Sequence, residues 1–230
     1  MPKKATDTPT APEPEDLKTV RLVIARYKEK MDWLVAIPED YQIYISNSGD
    51  RKTLDIPPSV AARVEVVDTP NVGREAGHWL RYVVARYDDL ADINVFLQGC
   101  PYQGHTSDIL FKMERVDLYA KAFKYLCGGG EATRSLSDGT GFAPRALIAI
   151  AVARKYPIVP LASGGVWGAQ HLATRAVIHN YPKDWYEMIL AKAATDKFAN
   201  IFEHAYNVVY GVPPDILPAT PKTAATPTPS

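Results

Sequence analysis

The sequence predicts an α/β fold, a mostly parallel central sheet with flanking helices and a helical C-terminal part. Three observations predict it. Short apolar runs rich in β-branched residues recur through the N-terminal part, separated by segments long enough for crossovers. A strongly amphipathic helix falls between two of those runs, and helical stripes dominate the C-terminal part.

The elements follow in order. "VRLVIARY" (20–27) reads as a strand, "KEKMDWLVAI" (28–37) as a helix, and "QIYIS" (42–46) as a second strand, an order that favours a parallel pair. "VEVVD" (64–68) is a third strand, closed by Thr69 and Pro70. Ala76, Trp79, Leu80, Val83, Val84 and Tyr87 then recur at spacings of three and four, one apolar stripe on a helix, and "INVFLQ" (93–98) is a fourth strand. Beyond it, 107–126 is patterned as a helix with Ser107 or Asp108 as N-cap, 127–141 is a Gly- and Ser-rich irregular loop, and 143–156 is another helix. "PLASGGVWGAQ" (160–170) reads as a glycine-punctuated turn or strand end. From 171 to 210 the pattern is two or three helices, with Tyr186, Ile189, Leu190 and Ala193 on one face and Phe198, Ile201, Phe202 and Val209 on the next.

Composition bounds the function. The 230 residues are 47% hydrophobic and 23% charged, the balance of one ordinary globular domain. Lys plus Arg and Asp plus Glu are 26 each, so no global positive field draws a nucleic-acid backbone, and any such partner would need a local patch. Two cysteines, Cys100 and Cys127, build no disulfide framework, and no apolar stretch suits a leader or a membrane span. A cytoplasmic protein is expected. Residues 1–18 and 212–230 are Pro-rich and poor in packing residues, so both read as disordered tails around a single domain at 19–211.

In parallel sheets ligands gather at the carboxyl ends of strands, which directs attention to Arg26, to Ser46 through Gly49, to "DTPNVGRE" and to "QGCPYQGH". "DTPNVGRE" places Asn71, Gly73 and Arg74 where a helix begins, so that free N–H groups, the helix dipole and a guanidinium favour an anion. The alternative is that Asn71 is only an N-cap and Gly73 only a close-packing residue. In the second stretch Gln98, His105 and Asp108 sit where hydrogen bonding and proton transfer are common, and one His with one Asp is a weak metal signal. Walker-type phosphate loops, GxSxG elbows and zinc-spaced Cys and His sets are absent from the sequence, and His78, His171 and His179 receive no role.

Three segments, "ARYKEKMDWL", "PNVGREAGHWLRYVVARYDDLADINVFLQGCPYQGH" and "GAQHLATRAVIHNYPKDWYEMI" with its later "FEHAYNVVYG", resemble in order a family of fungal and bacterial proteins of unknown function. That family's signature is approximately ARY-x-E, PNVGREAHTYL, FLQGDPxDH and GAQF. It is in turn distantly similar to nucleotide-sugar glycosyltransferases of the GT-A type, a Rossmann-like fold. The resemblance implies that Arg26 borders the nucleotide base, that Asn71, Arg74 and Glu75 face nucleotide or sugar, and that Gln98, Gly99 and Cys100 occupy the place of a metal-holding Asp-x-Asp motif. Gly168, Ala169 and Gln170 would line the acceptor side, and Glu203 would be the late acidic residue.

Cys100 stands where the family signature has Asp, and a thiol is a poor ligand for a hard, phosphate-bridging cation. The resemblance therefore implies either loss of a divalent metal, with Arg74 and the helix start neutralising the diphosphate, or a metal held by His105 and Asp108. The expected activity is sugar transfer from a nucleoside diphosphate sugar to a hydroxyl acceptor: a glycan, a protein or a hydroxylated base of DNA, the last suiting a small viral modification enzyme. Glu203 is the first candidate base, followed by Glu75 and His105. The competing expectations are a non-catalytic nucleotide-sugar or glycan binding module and a hydrolase using His105 with Asp108.

Overall fold

The computed structural model describes residues 19–101, 124–125, 131–132, 165–166, 170–193 and 209–210. Strands β1 (Val20–Arg26), β2 (Gln42–Asn47), β3 (Val64–Asp68) and β4 (Ile93–Gln98) match the four apolar runs. Three short strands follow at Lys124–Tyr125 (β5), Glu131–Ala132 (β6) and Gly165–Val166 (β7), then β8 at His171–Thr174. Helix α1 is Arg74–Arg86, α2 is Arg175–Ile178 and α3 is Lys183–Ala193.

The main sheet has the order β3-β2-β1-β4-β8-β5, with β6 and β7 paired separately. β1 pairs in parallel with β2 and β4, and β2 with β3, while β8 runs antiparallel to both β4 and β5. The mostly parallel α/β class is what the sequence predicts. The chain steps from β1 to β2 to β3 in one direction and then returns to place β4 on the other side of β1. That reversal is a topological switch point, and in open α/β sheets the crevice outside the strand ends at such a point is where ligands bind.

Alternation along the strands divides the apolar residues between two cores. Val23, Tyr44, Phe96 and Ala173 point to the side covered by α1 and α3, where Trp79, Val83, Trp185 and Ile189 meet them. Leu22, Ile24, Ile43, Ile45, Val95 and Leu97 point to the other side, against Met31, Leu34, Ile37 and Val60. Burial on both faces is why the strands read as near-continuous apolar runs. The α1 stripe is confirmed, with Ala76, Trp79, Leu80 and Val83 buried and Val84 and Tyr87 packed at the edge; on α3 Tyr186, Ile189 and Ala193 are buried beside a half-buried Leu190.

Four expectations are corrected, one of them the irregular loop expected at 127–141, which includes the strand Glu131–Ala132 paired with Gly165–Val166. The helix expected at 28–37 is a short 3-10 turn, Asp32–Ala36. Buried Leu34 within it and buried Met31 and Ile37 at its two caps recur every third position, the period of a 3-10 helix rather than an α-helix. The segment from His171 opens not with a helix but with β8, whose four residues are all buried against β4 and β5. The end of the helix expected at 107–126 is likewise strand, at Lys124–Tyr125. The rest of that helix, the one expected at 143–156, Phe198, Ile201, Phe202 and the two tails lie outside the described residues.

Candidate functional site

The site is built where β3 hands the chain to α1. After Asp68 the chain turns tightly, with the Val72 N–H donating to the Pro70 carbonyl at 2.8 Å. Gly73 is the N-cap residue at φ 82, and Arg74, the first helical residue, also has a positive φ of 49. A side chain on Gly73 would stand 2.6 Å from the carbonyl oxygen of Ala193 at the end of α3, so close packing and backbone conformation both demand glycine. Gly73, not Asn71, caps the helix, which corrects the N-cap alternative; Asn71 is exposed beside the helix start.

A pocket of about 270 Å³ opens there, lined by Ala25, Arg26, Tyr27, Glu29, Ser48, Asn71, Arg74, Glu75 and His78. Arg26 is one of its walls but is 1% exposed. Its guanidinium donates to the Glu29 carbonyl at 3.0 Å, to Asn47 Oδ1 at 2.6 Å and to the Thr53 carbonyl at 2.9 Å. Asn47 passes the network on to Asp68 at 2.9 Å, and Arg51 reaches the other Asp68 oxygen at 2.7 Å. These hydrogen bonds, Asn47's first, hold the Asp68 carboxyl below its ordinary range. Arg26 thus fixes the loops after β1 and β2, whatever else it touches.

Glu29 folds back over the end of β1, its carboxylate accepting the backbone N–H groups of Tyr27 at 2.6 Å and Lys28 at 3.0 Å. Gly99 leaves room for it, since a Cβ there would lie 2.6 Å from the same carboxylate. On the opposite side the Gln98 amide donates to Glu75 at 3.2 Å. Gln170, buried before β8, accepts from the Gln98 backbone at 3.1 Å and donates to the Pro101 carbonyl at 3.2 Å. The end of β4 is therefore tied to α1 through one glutamine and to β8 through another.

His78 sits one turn into α1, 4% exposed, and lines the pocket. Its Nδ1 is 2.7 Å from Ser46 Oγ and 3.1 Å from Thr69 Oγ1. Burial, reinforced by the Arg81 charge and opposed by Glu29 and the Ser46 backbone, lowers its pKa to about 4, so the ring is neutral at pH 7. Sequence reasoning gave His78 no role. The signal was its spacing, three residues after Glu75 and four after Arg74, which puts all three on one side of the helix start.

Of the residues singled out in the sequence, Arg26, Asn71, Arg74 and Glu75 come together around one pocket, and Gln98, Gly99 and Gln170 adjoin it. His105, Asp108, Gly168 and Glu203 lie outside the described residues. Among the described residues no group of three or more His, Cys, Asp or Glu side chains could hold a metal ion. The end of β4 supplies the Gln98 amide, the Gly99 backbone and the half-buried Cys100 thiol, a donor set that does not suit a hard divalent cation. Among the described residues no helix is long and apolar enough to cross a membrane.

The fold and site define an α/β protein with a polar crevice at the carboxyl ends of a mostly parallel sheet. Residues 22–123 match the model of a family described as "Protein of unknown function (DUF3431)". No curated protein matches. Among solved structures the chain is similar to the mannosyltransferase PcManGT from Pyrobaculum calidifontis in complex with GDP-Man and Mn2+, at 17% identity and a TM-score of 0.39, over 84% of this chain and 56% of that one. The chain thus spans little more than half the length of that enzyme.

Proposed function

We propose that the pocket binds the diphosphate of a nucleoside diphosphate sugar and that the protein is a glycosyltransferase-like enzyme, moving the sugar to a hydroxyl acceptor. The observation that carries this reading is the position of Arg74. It lies at the amino end of a 13-residue helix, on a pocket at the carboxyl ends of the strands, and makes no ion pair among the described residues. Unsatisfied N–H groups, the helix dipole and a free guanidinium there suit an anion. The sequence resemblance, "PNVGRE" followed by "FLQG", selects the nucleoside diphosphate sugar among anions.

In this reading Arg74 and the start of α1 stabilise the charge that develops on the departing diphosphate. Arg26 and Glu29 shape the wall beside Tyr27, the exposed aromatic at the rim, by fixing the loop after β1. Glu75, steadied by Gln98, faces the same space and is the carboxylate candidate for deprotonating the acceptor hydroxyl among the described residues. Glu203 and His105 remain candidates for the same role, with Gly168 and Gln170 toward the acceptor. The acceptor is a glycan, a protein or a hydroxylated base of DNA. The donor set at the end of β4 favours a second reading, a module that binds the nucleotide sugar without turnover.

The test is the melting temperature of the full chain with UDP, GDP and their sugar conjugates, with and without manganese. A nucleotide-dependent rise that Arg74→Ala abolishes supports the reading, and release of nucleoside diphosphate in the presence of an acceptor separates enzyme from module. The absence of any nucleotide-dependent shift overturns it.

A further inference from the structure

The ring of His78 has one nitrogen accounted for and one not. Nδ1 faces Ser46 Oγ and Thr69 Oγ1, which are themselves 3.0 Å apart. Each hydroxyl has a single proton. Both directions of donation run through the same 2.7 and 3.0 Å contacts; in one, Thr69 donates to Ser46 Oγ and Ser46 to Nδ1, so that each hydroxyl proton lies in a short contact. The opposite direction would send the Ser46 proton to Thr69 and leave Thr69 the longer 3.5 Å contact with the Asn47 carbonyl. The first arrangement, which does not depend on the 3.5 Å contact, puts the ring proton on Nε2. No described residue accepts it, and a buried N–H without an acceptor is costly.

The pocket that His78 lines holds donors that the protein leaves uncommitted, and two carboxylates that it engages elsewhere. Arg74 and Asn71 line the same pocket, and the first N–H groups of α1 are unsatisfied by the helix itself. Of the two carboxylates in the lining, Glu29 is turned to the Tyr27 and Lys28 backbone and Glu75 to the Gln98 amide. The complement of such a set is a ligand oxygen that accepts several hydrogen bonds and carries negative charge.

We infer that His78 is a binding residue that donates its Nε2–H, as a neutral imidazole held in one tautomer by Ser46 and Thr69, to a phosphate oxygen of the ligand that Arg74 and the start of α1 also hold. The inference rests on the donor reading for the nucleotide, but its chemistry requires only a phosphate-bearing anion. His78 then acts as a selector, because a neutral N–H rewards an acceptor oxygen and leaves a cationic or donor group unmatched.

The test is a long-range proton–nitrogen spectrum of the histidine rings of the full chain, titrated separately with inorganic pyrophosphate and with GDP, alongside their dissociation constants for wild type, His78→Gln and His78→Leu. Expected are an Nε2–H tautomer for His78, a shift of its Nε2 signal with either ligand, near-normal affinity in His78→Gln and at least roughly tenfold weaker binding in His78→Leu. The spectrum of the wild type decides the question even if the leucine variant does not fold. If GDP binds while the Nε2 signal stays still, the inference falls and the donor reading stands. If pyrophosphate moves Nε2 but neither GDP nor a sugar conjugate binds, the inference stands and the donor reading falls. A proton found on Nδ1, or no response to either ligand, overturns the inference outright.

Discussion

Two depressions of similar size lie at opposite ends of the sheet, and they differ in what their polar groups are doing. The one at the amino ends, about 240 Å³, is lined by Arg21, Gln42, Arg63 and Glu65 among others; the one at the carboxyl ends is about 270 Å³. At the amino end Arg21 is held by Gln42 Oε1 at 2.9 and 2.6 Å and by the Asp89 carbonyl at 2.9 Å. Arg63 is held by the carbonyls of Ile37, Pro38 and Tyr41, and Glu65 pairs with Arg86. Each of these charges is matched. At the carboxyl end Arg26 is matched just as fully, yet Arg74 is not, and one nitrogen of the buried His78 is not. Volume does not distinguish the two depressions; unmatched polar groups do.

The largest test of this contrast compares the two arginines of β1. Arg26→Met leaves Asn47 Oδ1 and the carbonyls of Glu29 and Thr53 without their donor inside the protein, and should cost about 3–4 kcal/mol in urea unfolding at neutral pH. Arg21→Met removes bonds nearer solvent and should cost about 1–2 kcal/mol. Equal losses would show that the carboxyl end is no more dependent on its arginine than the amino end.

The next effect is a pH dependence that only the carboxyl end supplies. His78 has a folded pKa of about 4 against an ordinary 6.5, so the unfolded chain binds more protons between those values. The stability it supports is complete above about pH 6.5 and is lost as pH falls through 4, by roughly 3 kcal/mol in all. His78→Gln should flatten that slope in unfolding experiments between pH 4 and 7. An unchanged slope would mean that other groups carry it.

A smaller effect tests how firmly the helix start is held. Gly73→Ala meets both a φ of 82 and the Ala193 carbonyl, and should cost about 2 kcal/mol while displacing the start of α1 from α3. The readout is urea unfolding together with amide exchange at the first turn of α1. Exchange no faster than in wild type would show that α1 is positioned by its apolar face alone.

The same contrast explains what was legible in the sequence. β1 to β4 could be read because both faces of a parallel sheet are covered, which writes each strand as an apolar run between turn residues. α1 could be read from its stripe, and its start from "NVGRE". β8 could not: four residues that include His171 and Thr174 carry no strand pattern, and their partners β4 and β5 are remote in sequence. Arg74 declared itself because a charge at a helix start has a local meaning. Arg26 did not reveal that its guanidinium is committed to protein acceptors, and His78 did not reveal that it is half-satisfied. Both facts depend on Asn47, Thr53, Ser46 and Thr69, which long-range folding brings to them.

The smallest predicted effect separates backbone from ligand at Arg74 itself. A left-handed conformation costs a residue with a Cβ roughly 1–2 kcal/mol, and Arg74 sits at φ 49. Glycine would relieve that cost but would lose more freedom on folding, so Arg74→Gly should stabilise the protein by only about 0.5 kcal/mol. Arg74→Ala keeps the Cβ and the strain and should leave stability unchanged. Both variants remove the guanidinium, so both should lose the nucleotide-dependent rise in melting temperature. If the glycine variant instead loses stability, the side chain of Arg74 is packed as the amino-end arginines are, and the distinction between the two ends of the sheet disappears.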